Sequence, residues 1–169
     1  MDIVEFGPLT QELRAELEGD EEDPFDIAGV ALQFRPKERH VALRDGDGRL
    51  IASTGMLVVE AEVGDQRIPI VGLGGVIVNS EHRGRGLARR VVRAALERGR
   101  AMGPSFALLF CLPSRAGLYE RLGFETLPPP VTVEQPAGIE EMPLGAMWHA
   151  LAAGAEWPAG PVALRSLPF

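Results

Sequence analysis

The sequence lacks several features that would have settled its class at once. It holds one cysteine, Cys111. A single cysteine excludes a disulfide framework and a cysteine-rich zinc site. The three histidines, His40, His82 and His149, are dispersed and show no metal-ligand spacing. No apolar run reaches the roughly 18 residues that a membrane-spanning helix needs. The first ten residues are acidic and have neither the basic start nor the apolar stretch of a signal peptide. There is no internal repeat and no low-complexity tract. These absences predict a soluble cytoplasmic protein with no membrane partner.

What is present suits one compact domain. The chain has 169 residues, 46% of them hydrophobic, enough to bury roughly 70% of its unfolded surface. Its net charge is −7, which argues against a nucleic-acid partner, since such proteins usually show a basic surface. The average hides an asymmetry. Residues 83–100 carry seven arginines (Arg83, Arg85, Arg89, Arg90, Arg93, Arg98 and Arg100) against one acid, Glu97. Residues 1–26 carry ten acids against one base, Arg14.

Local patterns predict most of the elements. Asp2–Phe6 reads as a strand. A helix follows, N-capped by Thr10, with Leu13 and Leu17 on one face and Gly19 as its stop. Pro24, Gly29 and Pro36 interrupt the apolar stretch Phe25–Phe34, read as a short helix and loop. His40–Arg44 and Leu50–Val63 read as strands joined by the turn Asp45-Gly46-Asp47-Gly48. Gly64-Asp65 is a two-residue hairpin signal that sets Glu62 opposite Arg67. Regular pairing is expected to begin after Pro69, which has no N–H to donate. Val71–Val78 is a buried strand. Its glycines, Gly72, Gly74 and Gly75, suggest a bulge or a close approach by something else. Gly86–Met102 is the clearest helix. Ala88, Val91, Val92, Ala95, Leu96, Gly99 and Met102 form its apolar stripe, with Arg89, Arg93, Glu97 and Arg100 opposite. Further strands are expected at Phe106–Cys111, Val131–Glu134 and Ala146–Leu151, and a helix at Ser114–Leu122. The tail, Ala155–Phe169, is rich in Pro and Gly.

The strand–turn–helix over residues 71–102 carries the chemistry. The first N–H groups of a helix lack internal partners, and the helix dipole makes that end partly positive. Gly84 and Gly86 remove side chains, so an anion can approach the backbone. Arg83, Arg85 and Arg89 add positive charge. The combination is a phosphate cradle. It is not a Walker loop, because Gly-Lys-Ser/Thr is absent. Its mid-chain place also separates it from a dinucleotide fold, whose glycine-rich turn follows the first strand.

The spacing Arg83-x-x-Gly86-x-Ala88 resembles the pyrophosphate-binding signature of the GNAT superfamily of N-acetyltransferases. A second landmark lies about 30 residues on, in Tyr119-x-x-x-Gly123-Phe124. The order of upstream elements matches as well. The tail is loosely similar to aminoglycoside 2′-N-acetyltransferases. The resemblance implies an α/β fold with a mixed, mostly antiparallel sheet flanked by helices, whose parallel strands Val71–Val78 and Phe106–Cys111 splay apart. It implies a cofactor core at 71–124, completed by strands and tail at 125–169.

It also implies acetyl-CoA as cofactor and direct acetyl transfer to an amine, with a small molecule as acceptor. The main chain of Val76, Ile77 and Val78 would pair with the pantetheine amides. An N–H there would stabilise the oxyanion. The turn from Arg83 through Gly84, Arg85, Gly86, Leu87 and Ala88 to Arg89 would hold the pyrophosphate. Tyr119 would be the acid for the departing thiolate; the alternative is a packing tyrosine. The strand 71–78 holds no acid, so either the acceptor amine arrives neutral or the base comes from elsewhere, with Glu134, Glu140, Glu141, His149 and the carboxylate of Phe169 as candidates. The acids Asp20, Glu21, Glu22, Asp23 and Asp26 are either an acceptor wall that attracts a cationic amine or a solvated loop. A protein or peptide acceptor, and a non-catalytic acyl-CoA-binding module, are the competing functions. A homodimer is among the assemblies the resemblance allows.

Overall fold

The computed structural model describes residues 1–169. Ten strands and three helices follow in the order β1 (Asp2–Phe6), α1 (Gln11–Glu18), β2 (Arg39–Arg44), β3 (Leu50–Val63), β4 (Gln66–Val78), α2 (Leu87–Arg100), β5 (Phe106–Cys111), α3 (Ala116–Glu120), β6 (Glu125–Thr126), β7 (Val131–Gln135), β8 (Gly138–Glu141), β9 (Gly145–Ala150) and β10 (Val162–Leu164). The strands form one sheet in the order β6-β9-β5-β4-β3-β10-β7-β8, with β2 also on β3 and β1 on β2. Only β4–β5 and β10–β7 are parallel. The expected mixed, mostly antiparallel α/β architecture is present. No helix is long and apolar enough to cross a membrane.

Both faces of the sheet are covered, which explains why its central strands read as continuous apolar runs. In β5, Ala107, Leu109 and Cys111 join the core on the α2 side, while Phe106 and Leu108 join the core beneath β7, β10 and the tail. The helix α2 buries Leu87, Val91, Val92, Ala94, Ala95, Leu96 and Gly99. Each large apolar side chain buried in this way contributes roughly 1.5–3 kcal/mol of transfer energy. The helix α1 lies over the opposite face, where Leu17 packs with Ala42, Leu50 and Ile77. Thr10 caps it, its hydroxyl accepting from the N–H of Leu13 at 3.3 Å.

The β3–β4 hairpin closes at Gly64-Asp65 as its turn signal predicts, with Glu62 opposite Arg67 in an ion pair at 3.2 Å. Two expectations fail. Regular pairing does not wait for Pro69, because the β3–β4 ladder runs unbroken through the pair Glu60–Pro69. At that pair Glu60 turns its carbonyl away from β4 and accepts from the N–H of Arg165, so the ladder asks Pro69 for no donor. Phe25–Phe34 forms no helix. The carboxylate of Asp23 accepts from the N–H groups of Ile27 and Ala28 and folds the segment into a turn. Phe25 then packs beside α1, whereas Leu32 and Phe34 pack under the far half of the sheet, so no single helical face could serve both.

Three strands escaped the sequence reading: β6, β8 and β10. All three are short, and β10 lies inside the Pro/Gly-rich tail. It bonds antiparallel to β3 and parallel to β7, a position set by strands 100 and 30 residues away rather than by its own pattern. The tail crosses the hairpin tip where Gly64 has φ +61°, and a Cβ there would sit 2.7 Å from the carbonyl oxygen of Ala159. Gly64→Ala is therefore expected to cost about 1–3 kcal/mol and to loosen residues 155–164. A lowered urea midpoint with earlier proteolysis in that segment checks this; an unchanged midpoint contradicts it.

Candidate active site

A short parallel pairing creates the site. β4 and β5 bond only from Val71–Ala107 to Leu73–Leu109. Beyond that point β4 bends. Between the pairs Gly55–Gly74 and Ser53–Ile77, two residues of β4 face one of β3, which defines a β-bulge. Gly75 takes the left-handed conformation the bulge needs, with φ +62°. Thr54 fastens it, its hydroxyl donating to the carbonyl of Gly74 at 3.2 Å. From Gly74 to Val78 the main chain stays bonded to β3 but has no strand partner on the β5 side. The side chains of this stretch are occupied: Ile77 is buried with Leu17, and Val76 and Val78 pack toward α2. Only backbone remains to face the opening.

The strand runs straight into the turn. Asn79 is buried and ties the turn down: its Nδ2 donates to the carbonyl of Glu16, and its Oδ1 accepts from the N–H of Glu81, both at 3.1 Å. Gly84 and Gly86 both have positive φ, at +77° and +72°. No backbone acceptor serves the N–H groups of Gly84, Arg85 or Gly86. Those of Leu87, Ala88 and Arg89 open α2, where a helix leaves its first donors free, and no side chain caps them. Six consecutive donors thus surround a positive helix end. Arg89 folds back over the turn, with a guanidinium nitrogen 3.6 Å from where a Cβ of Gly86 would be. Arg83 points elsewhere: its guanidinium donates to the carbonyl of Val78 at 3.1 Å and pairs with Glu21. Its N–H is engaged by Ser80. The free run of donors therefore starts at Gly84.

Where β4 and β5 part, a cavity of about 390 Å³ opens. Gly74, Gly75 and Val76 line one wall, and Leu109, Phe110, Cys111 and Tyr119 the other. Burial pushes the phenol of Tyr119 up to about 12 and the thiol of Cys111 up to about 11, so both keep their protons at neutral pH. Tyr119 meets Phe124 edge-on at 5.8 Å, and Cys111 donates to the sulfur of Met147 at 3.7 Å.

The charge of the cleft differs from what the acidic start suggested. Arg14, Arg35, Lys37 and Arg115 line it, with Glu18 as the one acidic side chain. The acidic loop contributes Phe25 and Ile27 instead. Glu21 is spent on Arg83 and Asp23 on its own turn. The base candidates Glu134, Glu140, Glu141 and His149 do not line the cleft. Glu140 and Glu141 are exposed on β8, and His149 packs edge-on against Phe124. Of the base candidates, Phe169 does enter, with its ring over Gly72 and its carboxyl group beside Gly74, in the niche that Lys37 shares.

Two cleft residues escaped the sequence reading. His40 donates through Nδ1 to the carbonyl of Gly7 at 2.8 Å and stacks on Phe6. Burial, opposed by that hydrogen bond, and the charges of Lys37 and Arg14 leave its pKa below the usual histidine value. Lys37 sits against Gly74 and Gly75, and burial with Arg14 nearby pushes it down to about 8. A signal for it existed, since Lys37 is the one lysine beside 16 arginines.

The profile of the acetyltransferase (GNAT) domain family matches residues 19–127. Glucosamine 6-phosphate N-acetyltransferase 1 of Oryza sativa subsp. japonica is 37% identical over 78 residues, which is 46% of this chain. The match spans about half the length of that relative, 46%. A GNAT family N-acetyltransferase of Escherichia coli, solved in complex with CoA, shares the fold with a TM-score of 0.61 and 20% identity, over 97% of this chain and 89% of its own. A GNAT family acetyltransferase of Brucella melitensis, solved in complex with acetyl-CoA, does so at 0.55 and 18%, over 96% and 95%.

The single tyrosine makes the burial of the cleft wall measurable. In the folded state its ionisation is expected near pH 12 instead of about 10. Because the folded pKa is raised, the associated stability is complete below about pH 10 and is lost as pH rises through about 12, up to roughly 3 kcal/mol. Spectrophotometric titration of tyrosinate reads this directly, and a midpoint near 10 would show that Tyr119 is open to water.

Proposed function

The chain belongs to the GNAT acetyltransferase family, and on that premise we propose that it is an acetyl-CoA-dependent N-acetyltransferase that acetylates the primary amine of a small molecule by direct transfer. The observation that carries this reading is the continuity of the free β4 edge, Gly74–Val78, with the donor-lined turn Gly84–Arg89. The two halves suit the two ends of one ligand: an amide-bearing arm, and a pyrophosphate.

Acetyl-CoA would supply an acetyl group already activated as a thioester. The main chain of Val76, Ile77 and Val78 would take up the arm as β5 takes up β4 one turn earlier. An N–H at the bulge would meet the acetyl oxygen, where a preorganised donor is worth about 2.7–4 kcal/mol as negative charge builds. The N–H groups of Gly84, Arg85, Gly86, Leu87, Ala88 and Arg89 would bind the pyrophosphate, with the side chains of Arg85 and Arg89 adding charge. Arg83 would serve by bracing the turn through Glu21 and Val78.

Tyr119 would face the sulfur. A phenol held near 12 gives up its proton poorly to a thiolate whose parent thiol has a pKa of about 8.5. The gap corresponds to about 5 kcal/mol. A hydrogen bond to the departing sulfur needs no such transfer, and that is the role assigned to Tyr119. A cavity of about 390 Å³ suits a small acceptor. Four cationic side chains against the carboxylates of Glu18 and Phe169 leave a positive balance, which favours an amine that also bears a carboxylate or phosphate. The rice relative is named for an amine of that kind.

The test is a panel of amines, including glucosamine and glucosamine 6-phosphate as a matched pair, with release of free CoA thiol as the readout. Thiol release should depend on an amine and favour the acidic member of each pair. Tyr119→Phe should lower kcat by about 10- to 100-fold while acetyl-CoA binding is retained. Tight binding of acetyl-CoA with no amine-dependent release would replace the enzyme with a binding module.

A further inference from the structure

We propose that Lys37 is the group that takes the proton from the acceptor amine; this rests on the acetyltransferase reading above. An amine attacks only with its lone pair free, so a proton acceptor must face the reacting centre. β4 offers none, because its cleft residues, Leu73 to Ile77, carry no titratable side chain. The geometry shows what occupies that space. Lys37 Cβ and Cγ lie in the niche of Gly55, where an added Cβ would come within 2.5 Å of both. Its Cε passes Gly74, 2.9 Å from where a Cβ would be, and its Nζ ends beside Gly75 at 3.7 Å on the same measure. Three glycines from two strands form a slot that leads one amine to the bulge where β4 leaves β5. The ring of Phe25 borders the same place, with Cζ 4.0 Å from the Gly75 position.

The carboxylate of Phe169 shares the Gly74 niche with Lys37 and is a rival, but a carboxylate is a far weaker base than a neutral amine. The remaining groups facing the cleft compete less. Tyr119 and Cys111 hold their protons to about 12 and about 11. Arg14, Arg35 and Arg115 stay cationic. Glu18 is paired with Arg14 at 2.9 Å. Among these His40 comes nearest, but its Nε2 lies at the Gly55 end of the slot, beside the stem of Lys37 and not at its tip. Burial and the Arg14 charge place Lys37 at about 8, so roughly a tenth of it is neutral at pH 7 and half at pH 8. Tuning a lysine into this range by burial is how it becomes a useful base. In the step, the acceptor N–H proton passes to Lys37 Nζ, the C–N bond forms and the C–S bond breaks. The sulfur leaves as thiolate, hydrogen-bonded by Tyr119, and is protonated from solvent. Lys37 then returns its proton to solvent.

Because Lys37 is the sole lysine, its titration can be read in the full chain without any turnover. Competitive acetylation by trace acetic anhydride, mapped by peptide mass spectrometry against pH, should give a midpoint near 8; a midpoint near 10.4 overturns the proposal. The profile of kcat/KM against pH with the best amine of the panel should rise with a limb near 8. Lys37→Met should lower kcat/KM by about 10²- to 10³-fold at pH 7.5, abolish that limb, and leave acetyl-CoA affinity and the melting temperature in place. Lys37→Arg should be as impaired, since arginine does not give up its proton. A limb below 6.5 would overturn the proposal: one that His40→Gln removes moves the role to His40, and one that survives it moves the role to the Phe169 carboxylate. So would full wild-type activity after Lys37 has been acetylated, since an amide nitrogen has no basic lone pair with which to take the proton. If no amine supports turnover, the acetyltransferase reading falls and the proton role with it. An ordinary lysine titration in an active enzyme removes the proton role alone.

Discussion

The whole cleft depends on one interruption of hydrogen bonding, the departure of β4 from β5 after Leu73. Had the parallel ladder continued, the amides of Gly74–Val78 would have been satisfied within the sheet and no free edge would remain. The bulge at Gly75–Val76 turns the strand away, while β3 keeps its other edge bonded. The freed backbone is therefore held stiffly. Donors fixed in advance need no reorganisation when charge develops, which is why a rigid edge serves a reaction better than a mobile loop. Thr54 on the bulge and Asn79 on the turn are the two side chains that keep this geometry.

The glycines of β4 act as niches as much as hinges. The Phe169 ring fills the niche at Gly72, and Lys37 with the Phe169 main chain fills that at Gly74. A side chain at either position would have to expel a distant part of the molecule. The strand is thus locked to the C-terminal tail and to the segment before β2. Packing and chemistry use the same vacant Cβ positions.

Charge follows the same logic of local partners. The acidic start and the basic island attract each other in part, through Glu21 with Arg83 and Glu5 with Arg98. Those acids are consequently not available to a ligand. The cleft inherits a positive balance that neither segment's total would suggest. Arg93 and Arg100 are exposed on the outer face of α2, as their place opposite the apolar stripe requires.

Much of this was legible from residue order. The cap at Thr10, the hairpin at Gly64-Asp65, the stripe of α2 and the strand–turn–helix at 71–102 are local: each rests on neighbours within one or two turns of chain. So is the run of free N–H groups, because a glycine turn opening a helix leaves its donors unpaired whatever surrounds it. What tertiary structure decided was which distant groups meet that backbone. The strand β10 exists because β3 and β7 flank it. The acidic loop closes on Arg83 and on itself because its carboxylates find donors there. Lys37 reaches the notch of Gly74, 37 residues ahead, because a three-glycine slot exists only after β3 and β4 have paired. Local backbone geometry is encoded by adjacent residues, whereas the side chains that complete a cleft are chosen by the sheet that brings them together.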